Sequence, residues 1–279
     1  MNRKYSVLMS VYYKDSPVYL RAAIESMLLQ TEKADEIILV CDGPLTDEQD
    51  KIIEKYIDNI KLLRLEKNQG LGVALSKGIG ICKNEWIARM DSDDVSVSTR
   101  CELQLDYFET RSEEHPDVDV LSGTLAEFIG EATTEKEALQ FVTSYKRLPE
   151  THTELKNYIR SRNPINHPCV MFRKSKAMEA GGYQSCYLFE DYDLWVRMFQ
   201  NGAKFANMPQ VLLYMRSNHI YERRGGALYA WAILKFLEKI YKLKMINMSQ
   251  FIIFGSIRIL ISLVPAKIRR YIYMTRLRN

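Results

Sequence analysis

An α/β fold built on a doubly wound, mostly parallel sheet is predicted by three features of the 279-residue sequence. Short apolar runs alternate with amphipathic segments four times in about the first 110 residues, and turn signals follow the runs. With 47% hydrophobic and 27% charged residues, the chain can bury a sizeable core.

Tyr5-Ser-Val-Leu-Met-Ser-Val11 is nearly continuous in apolar character, as a strand covered on both faces requires. Asp15-Ser16-Pro17 places proline in the first turn of a helix whose core stripe is Leu20, Ala23, Ile24, Met27 and Leu28. Residues 36–41 form a second strand pattern, ended by the turn signal Asp42-Gly43-Pro44. Thr46-Asp-Glu-Gln49 fits a capping box for a helix through about Ile57. The pattern then repeats, with strands over 60–65 and 86–90 and helices over 70–81 and 100–109.

In such sheets ligands bind outside the carboxyl ends of the strands. Those ends carry Ser10, Val11 and Tyr12, then Asp42 and Gly43, then Asn68 to Gly72, and last the tetrad Asp91-Ser92-Asp93-Asp94. No G-x-G-x-x-G opens the first helix, which argues against a dehydrogenase. Carboxylates two apart at a strand end suit Mg²⁺ or Mn²⁺, hard cations that leave several positions to water and substrate phosphates. An Asp/Ser cluster after a strand also serves as a turn and helix cap, but Ser98 or Thr99 can cap the helix at Arg100 without all three aspartates.

Five cysteines occur without CxxC or ligand spacing, so neither a disulfide framework nor a zinc site is indicated, and a reducing cytosol is expected. Met1-Asn-Arg-Lys4 runs into the first strand with no secretory signal pattern. The total charge of +4 conceals an asymmetry: residues 223–279 hold twelve Lys/Arg against the single acid Glu238, a net of +11, which leaves −7 on the rest.

Ser6-Val-Leu-Met-Ser-Val-Tyr12, Glu36-Ile-Ile-Leu-Val-Cys-Asp-Gly43, Asn68-Gln-Gly-Leu71 and Asp91-Ser-Asp-Asp94, in this order, resemble family 2 glycosyltransferases of the GT-A fold. Asn163-Pro-Ile-Asn-His-Pro-Cys-Val-Met-Phe-Arg173, Gly181-Gly-Tyr183, Glu190-Asp-Tyr-Asp-Leu-Trp195 and Leu213-Tyr-Met-Arg216 resemble the acceptor half of bacterial members that build O-antigen, capsule or exopolysaccharide. The resemblance spans about residues 5–226. It implies a catalytic domain over 1–226, with a nucleotide-sugar half to about 110 and an acceptor half from 111, and a tail over 227–279.

By this resemblance Ser10, Tyr12 and Asp42 line the nucleotide, with Asp42 on a uracil ring, while Cys41 replaces a family aspartate. Asp93 is the direct ligand to Mn²⁺ or Mg²⁺, Asp91 lies nearer the ribose or a metal-bound water, and His219 stands as a third metal contact. One acid of Glu190-Asp191 is the catalytic base; Asp191 is the choice here, and Asp193 faces solvent or a structural partner. These acids also suit a helix N-terminus on electrostatic grounds alone. His167 and Trp195 fall near the acceptor pocket, and Arg223-Arg-Gly-Gly226 reads as a basic loop over the diphosphate or as a linker.

The tail reads as two amphipathic pieces. Lys235, Glu238, Lys239 and Lys242 share one face of a helix over 228–245, and the apolar run 251–264 is too short to span a bilayer. It suits the interface plane, with Lys267, Arg269, Arg270, Arg276 and Arg278 toward an anionic leaflet. Packing on the catalytic domain or in a homodimer is the other reading. The function expected is inverting transfer of a hexose, galactose or glucose, from a UDP-sugar to a polyprenyl-diphosphate-linked saccharide at the cytoplasmic face of the bacterial inner membrane. A sugar-nucleotide-forming nucleotidyltransferase would carry a Gly-rich basic loop after its first strand, where Tyr12-Tyr-Lys-Asp15 stands. A calcium-dependent carbohydrate-binding module would need no nucleotide, and nucleic-acid binding fits the apolar run less well than lipid does.

Overall fold

The computed structural model of the protein describes residues 3–110, 117–218, 225–265, 267–269 and 271–272. The expected alternation forms in order: β1 (Tyr5–Val11), α1 (Pro17–Leu28), β2 (Glu36–Cys41), α2 (Asp47–Lys55), β3 (Lys61–Arg64), α3 (Leu71–Ile81), β4 (Trp86–Met90), a short β5 (Val95–Ser96) and α4 (Arg100–Glu109). Local chemistry sets several ends. Pro17 opens α1, and Thr46 and Gln49 cap α2 reciprocally.

The second half comprises β6 (Val120–Phe128), α5 (Glu135–Gln140), β7 (Val142–Lys146), α6 (His152–Tyr158), a 3₁₀ turn at His167–Cys169, β8 (Met171–Arg173), α7 (Lys174–Glu179), α8 (Glu190–Gln200) and β9 (Phe205–Arg216). Two helices follow, α9 (Ala227–Lys242) and α10 (Met248–Leu263). All nine strands join one sheet in the order β3-β2-β1-β4-β8-β6-β9-β5, with β7 on β6.

β1 runs parallel to β2 and β4, β2 to β3, and β6 to β9, whereas β8 is antiparallel to both β4 and β6 and so stitches the two parallel sets together. The strand order reverses between β1 and β4, which opens the crevice where doubly wound sheets bind ligands. Side chains alternate across the sheet with period two. Val7 and Met9 of β1 face Leu20, Ile24 and Met27 of α1, while Leu8 faces Ala74, Leu75 and Ile79 of α3. That double coverage is why these strands read as continuous apolar runs.

The C-terminal helices are less separate than their charge suggests. Ala232, Ile233, Phe236, Leu237 and Ile240 of α9 share a buried cluster with Tyr192 and Val196 of α8, and Phe189 stacks on Phe236 at 4.8 Å. Phe251, Phe254 and Ile259 of α10 pack against the same cluster. Arg269, expected to face a lipid leaflet, is instead buried, donating to the carbonyls of Ser262 (3.0 Å) and Val264 (2.8 Å), because the chain after α10 turns back onto the helix end. No helix among the described residues is long and apolar enough to cross a membrane.

Candidate active site

At the end of β2, Asp42 is buried and its carboxylate accepts the backbone N–H groups of Gln69 (2.7 Å) and Gly70 (2.9 Å). Gly43 (φ +93°) lets the β2 turn press against this loop, since a Cβ there would lie 2.6 Å from the Asn68 nitrogen. Asp42 thus anchors the loop that starts α3. Two of the roughly four lone-pair sites of a carboxylate are used in this way. Ser10 is nearly buried and Tyr12 is exposed at the end of β1, on the rim of the same crevice.

The tetrad sits at the carboxyl end of β4 and is held from beneath. Arg89, itself buried, donates to an Asp91 oxygen and to the Leu8 carbonyl at 3.3 Å. Ser92 donates to Asp15, whose carboxylate also accepts the Tyr12 N–H at 3.1 Å. Asp94 is buried and accepts the Arg216 N–H at 2.8 Å; burial, then the charges of Asp93 and Asp91, push its carboxyl well above the usual range. Arg216 also donates to the Asp93 carbonyl at 3.0 Å and stacks over Tyr19. The last residue of β9 thereby fixes the acidic loop.

Asp91 and Asp93 remain half-buried, on the open side of this loop. Among the described residues no three His, Cys, Asp or Glu side chains form a ready metal cage. A pair of oxygen-only ligands crowded by a third carboxylate nevertheless fits a hard cation that completes its shell with water and phosphate oxygens. His219, Arg223 and Arg224 lie outside the described residues.

The N-terminus of α8 approaches the start of α3. Asp191 accepts from the Asn163 side-chain amide at 2.6 Å and from the Tyr192 N–H at 2.7 Å, so its orientation is fixed from two sides. His167 is bonded to Tyr183, and Arg89 to Asp91, at the same end of the sheet. Burial first, then the Asp191 charge, raises the Glu190 carboxyl to about 7. Gly72 at the start of α3 permits close contact here, because a Cβ would lie 2.9 Å from Glu190 Cγ and 2.7 Å from the Gln184 carbonyl oxygen.

A pKa near neutrality favours Glu190 as a base, and orientation favours Asp191. Both carboxylates stand in the first turn of α8, Asp191 with its orientation fixed by two donors. Asp193 is the structural member of the trio: it is buried and paired with Arg197 (2.9 Å) and Lys239.

His167 is nearly buried, hydrogen-bonded through Nε2 to the Tyr183 hydroxyl at 2.8 Å, and held neutral, with burial and then Arg89 lowering it to about 4. Trp195 requires a correction. It is fully buried among Phe172, Phe205 and His167, so it supports the site's wall and cannot touch an acceptor. The sequence pattern identified neither Arg89 nor Asn163 as functional. A cation inside the buried run Trp86-Ile-Ala-Arg-Met90 was the available signal for the first; the second pairs across 28 residues, which no spacing rule reveals.

Residues 6–182 match the family described as Glycosyl transferase family 2. The chain is 39% identical over 274 residues to the UDP-Gal:alpha-D-GlcNAc-diphosphoundecaprenol beta-1,3-galactosyltransferase of Escherichia coli, covering 97% of this chain and 95% of that protein. It is 37% identical over 277 residues to the amylovoran biosynthesis glycosyltransferase AmsE of Erwinia amylovora, covering 96% and 97%. In fold it is similar to the mannosyltransferase PcManGT from Pyrobaculum calidifontis, solved in complex with GDP-Man and Mn2+, at a TM-score of 0.61 and 12% identity over 98% of this chain and 75% of that one. Matched to the family over residues 6–182 and to relatives along nearly its whole length, the chain belongs to glycosyl transferase family 2.

Proposed function

We propose that the protein is an inverting galactosyltransferase that moves galactose from UDP-galactose to a hydroxyl of a diphospholipid-linked N-acetylglucosamine during bacterial surface polysaccharide synthesis. The observation that supports the reaction type is an acidic loop fixed by Arg89 and Arg216, together with an Asp191 carboxylate oriented by Asn163 and the Tyr192 N–H. The choice of sugar and acceptor rests on the Escherichia coli relative.

The uridine diphosphate lies along the ends of β1 and β4, with Asp42 toward the base and Ser10 and Tyr12 beside the nucleotide. Asp91 and Asp93 would hold Mn²⁺ or Mg²⁺, which when bound supplies positive charge for the diphosphate leaving group. Asp191 accepts the proton of the acceptor hydroxyl as that oxygen attacks the anomeric carbon. The bond to the diphosphate oxygen breaks with its electron pair going to UDP, and the configuration inverts. His167, kept neutral, adds no competing positive charge behind the base. A lipid-linked acceptor calls for work at a membrane surface, and the outward apolar face of α10 suits peripheral contact there.

The test is incubation with UDP-galactose, UDP-glucose or GDP-mannose and a synthetic lipid-diphosphate N-acetylglucosamine, with the product anomer read by NMR. A β-linked disaccharide from UDP-galactose is expected. An α-linkage overturns the inverting mechanism, and transfer from GDP-mannose alone overturns the donor.

A further inference from the structure

A cavity of about 540 Å³ lies between the turn joining α9 to α10 and the chain just beyond α6, remote from the acidic loop. Arg160, Lys242 and Lys244 line it, with Tyr241, Asn247 and Gln250, and no carboxylate does. Lys242 pairs with Glu238 on the α9 surface at 2.7 Å, whereas Arg160 and Lys244 have no acidic partner among the described residues. Two uncompensated cations on one concave wall form a site for an anion.

Lys244 adds an independent sign. It adopts φ +57° where the α9 C-terminus closes by hydrogen bonds from its N–H to the Tyr241 carbonyl (2.9 Å) and from Met245 N–H to the Ile240 carbonyl (3.0 Å). Helix ends of this kind favour glycine, so a lysine there is strained and retains a cation at the cavity mouth. The C-terminus of α9 and the Asn247-capped N-terminus of α10 meet at the same wall, so their opposite partial charges offset and the side-chain cations set its sign.

From that wall Met248, Ile252, Ile253, Ile257, Leu260 and Leu263 run along the exposed half of α10. An apolar face next to a basic cavity matches the two layers of a lipid surface, acyl chains beside phosphates.

We propose that the cavity binds the phosphate of an anionic phospholipid headgroup, fixing α10 in the plane of the membrane; the proposal rests on the lipid-surface contact inferred above. A phosphate seated between Arg160 and Lys244 would orient the enzyme about α10 and so set the height of the crevice above the bilayer.

The test compares wild type, Arg160→Gln/Lys244→Gln and the control Lys235→Gln/Lys267→Gln in sedimentation with phosphatidylcholine vesicles and with vesicles containing phosphatidylglycerol. Wild type is expected to bind the anionic vesicles, and the cavity variant to lose roughly 30-fold in partitioning, given about a fivefold contribution per basic residue. The control is expected to lose less. Unchanged melting and unchanged turnover of a short water-soluble acceptor would show that the cavity variant is folded. Equal losses in both variants overturn the site in favour of general charge attraction and leave the membrane reading standing. No vesicle binding by wild type overturns the membrane reading itself. With inorganic phosphate and no vesicles, any thermal shift should be small and lost in Arg160→Gln/Lys244→Gln; such a shift together with vesicle binding unchanged by those substitutions overturns the lipid and assigns a free anion.

Discussion

Asp191, the proposed base, and Glu190 are adjacent carboxylates whose surroundings differ. Asp191 is oriented by Asn163 and the Tyr192 N–H. Asp191→Asn keeps the shape but cannot accept a proton, so turnover should fall by about 10² to 10⁴ while UDP-sugar affinity stays near normal. Steady-state kinetics with a separate binding titration checks both halves; a variant that keeps full turnover removes Asp191 from the role of base. Glu190 has a carboxyl raised from 4.5 to about 7, chiefly by burial. Between those values the folded chain keeps a proton that the unfolded chain has released. This contribution to stability is therefore complete below about 4.5 and is lost as pH rises through about 7. Thermal melts of Glu190→Gln should show a flatter dependence over that window than wild type, and parallel curves would remove Glu190 as its source.

At the level of elements, α9 braces α8, the helix that carries the proposed base. Lys239 reaches from α9 to Asp193, three residues into α8, and Phe236 stacks against Phe189 at the α8 N-cap. Removing one partner of a fully buried pair costs about 3–5 kcal/mol; here Asp193 is buried but Lys239 is partly exposed, and Arg197 remains to offset part of the charge. Lys239→Met should therefore destabilise by on the order of 2 kcal/mol and also lower kcat, because the first turn of α8 carries Asp191. Lys239→Arg should recover most of both. A lowered melting temperature with unchanged kcat would make the pair structural only.

Over the whole molecule, the C-terminal helices belong in part to the core. Gly255 of α10 lies against Leu237, and Arg258 donates to the Ser161 carbonyl. Deleting residues 248–279 uncovers the α9 face that meets Phe251, Phe254 and Ile259, apolar burial worth several kcal/mol at roughly 25 cal/mol per Å². The truncated chain should melt well below the full chain. Melting at the same temperature would return α10 to the status of a detachable appendage. Salt should strip only part of the full-length protein from membranes, since charge attraction is screened and apolar contact is not.

The alternation from β1 to α4 was legible in the sequence because its causes are local: doubly covered strands need continuous apolar runs, and Pro17 and the Thr46–Gln49 pair act within one turn. The acidic tetrad was legible for the same reason. In β6, Ser122, Gly123, Thr124 and Glu127 are buried among apolar neighbours and found partners only on folding, with Ser122 bonded to Asn207 across 85 residues. Periodicity gives a helix an apolar stripe but not its neighbour, so Trp195 could be placed on α8 and not assigned to the core. The basic count of the tail is fixed by sequence, whereas its division into buried Arg269, core-paired Lys239 and cavity-lining Lys244 depends on side chains brought together by the fold. Ion pairs such as Arg89–Asp91 and amide contacts such as Asn163–Asp191 orient the chemistry, and only tertiary structure supplies the few ångströms within which they act.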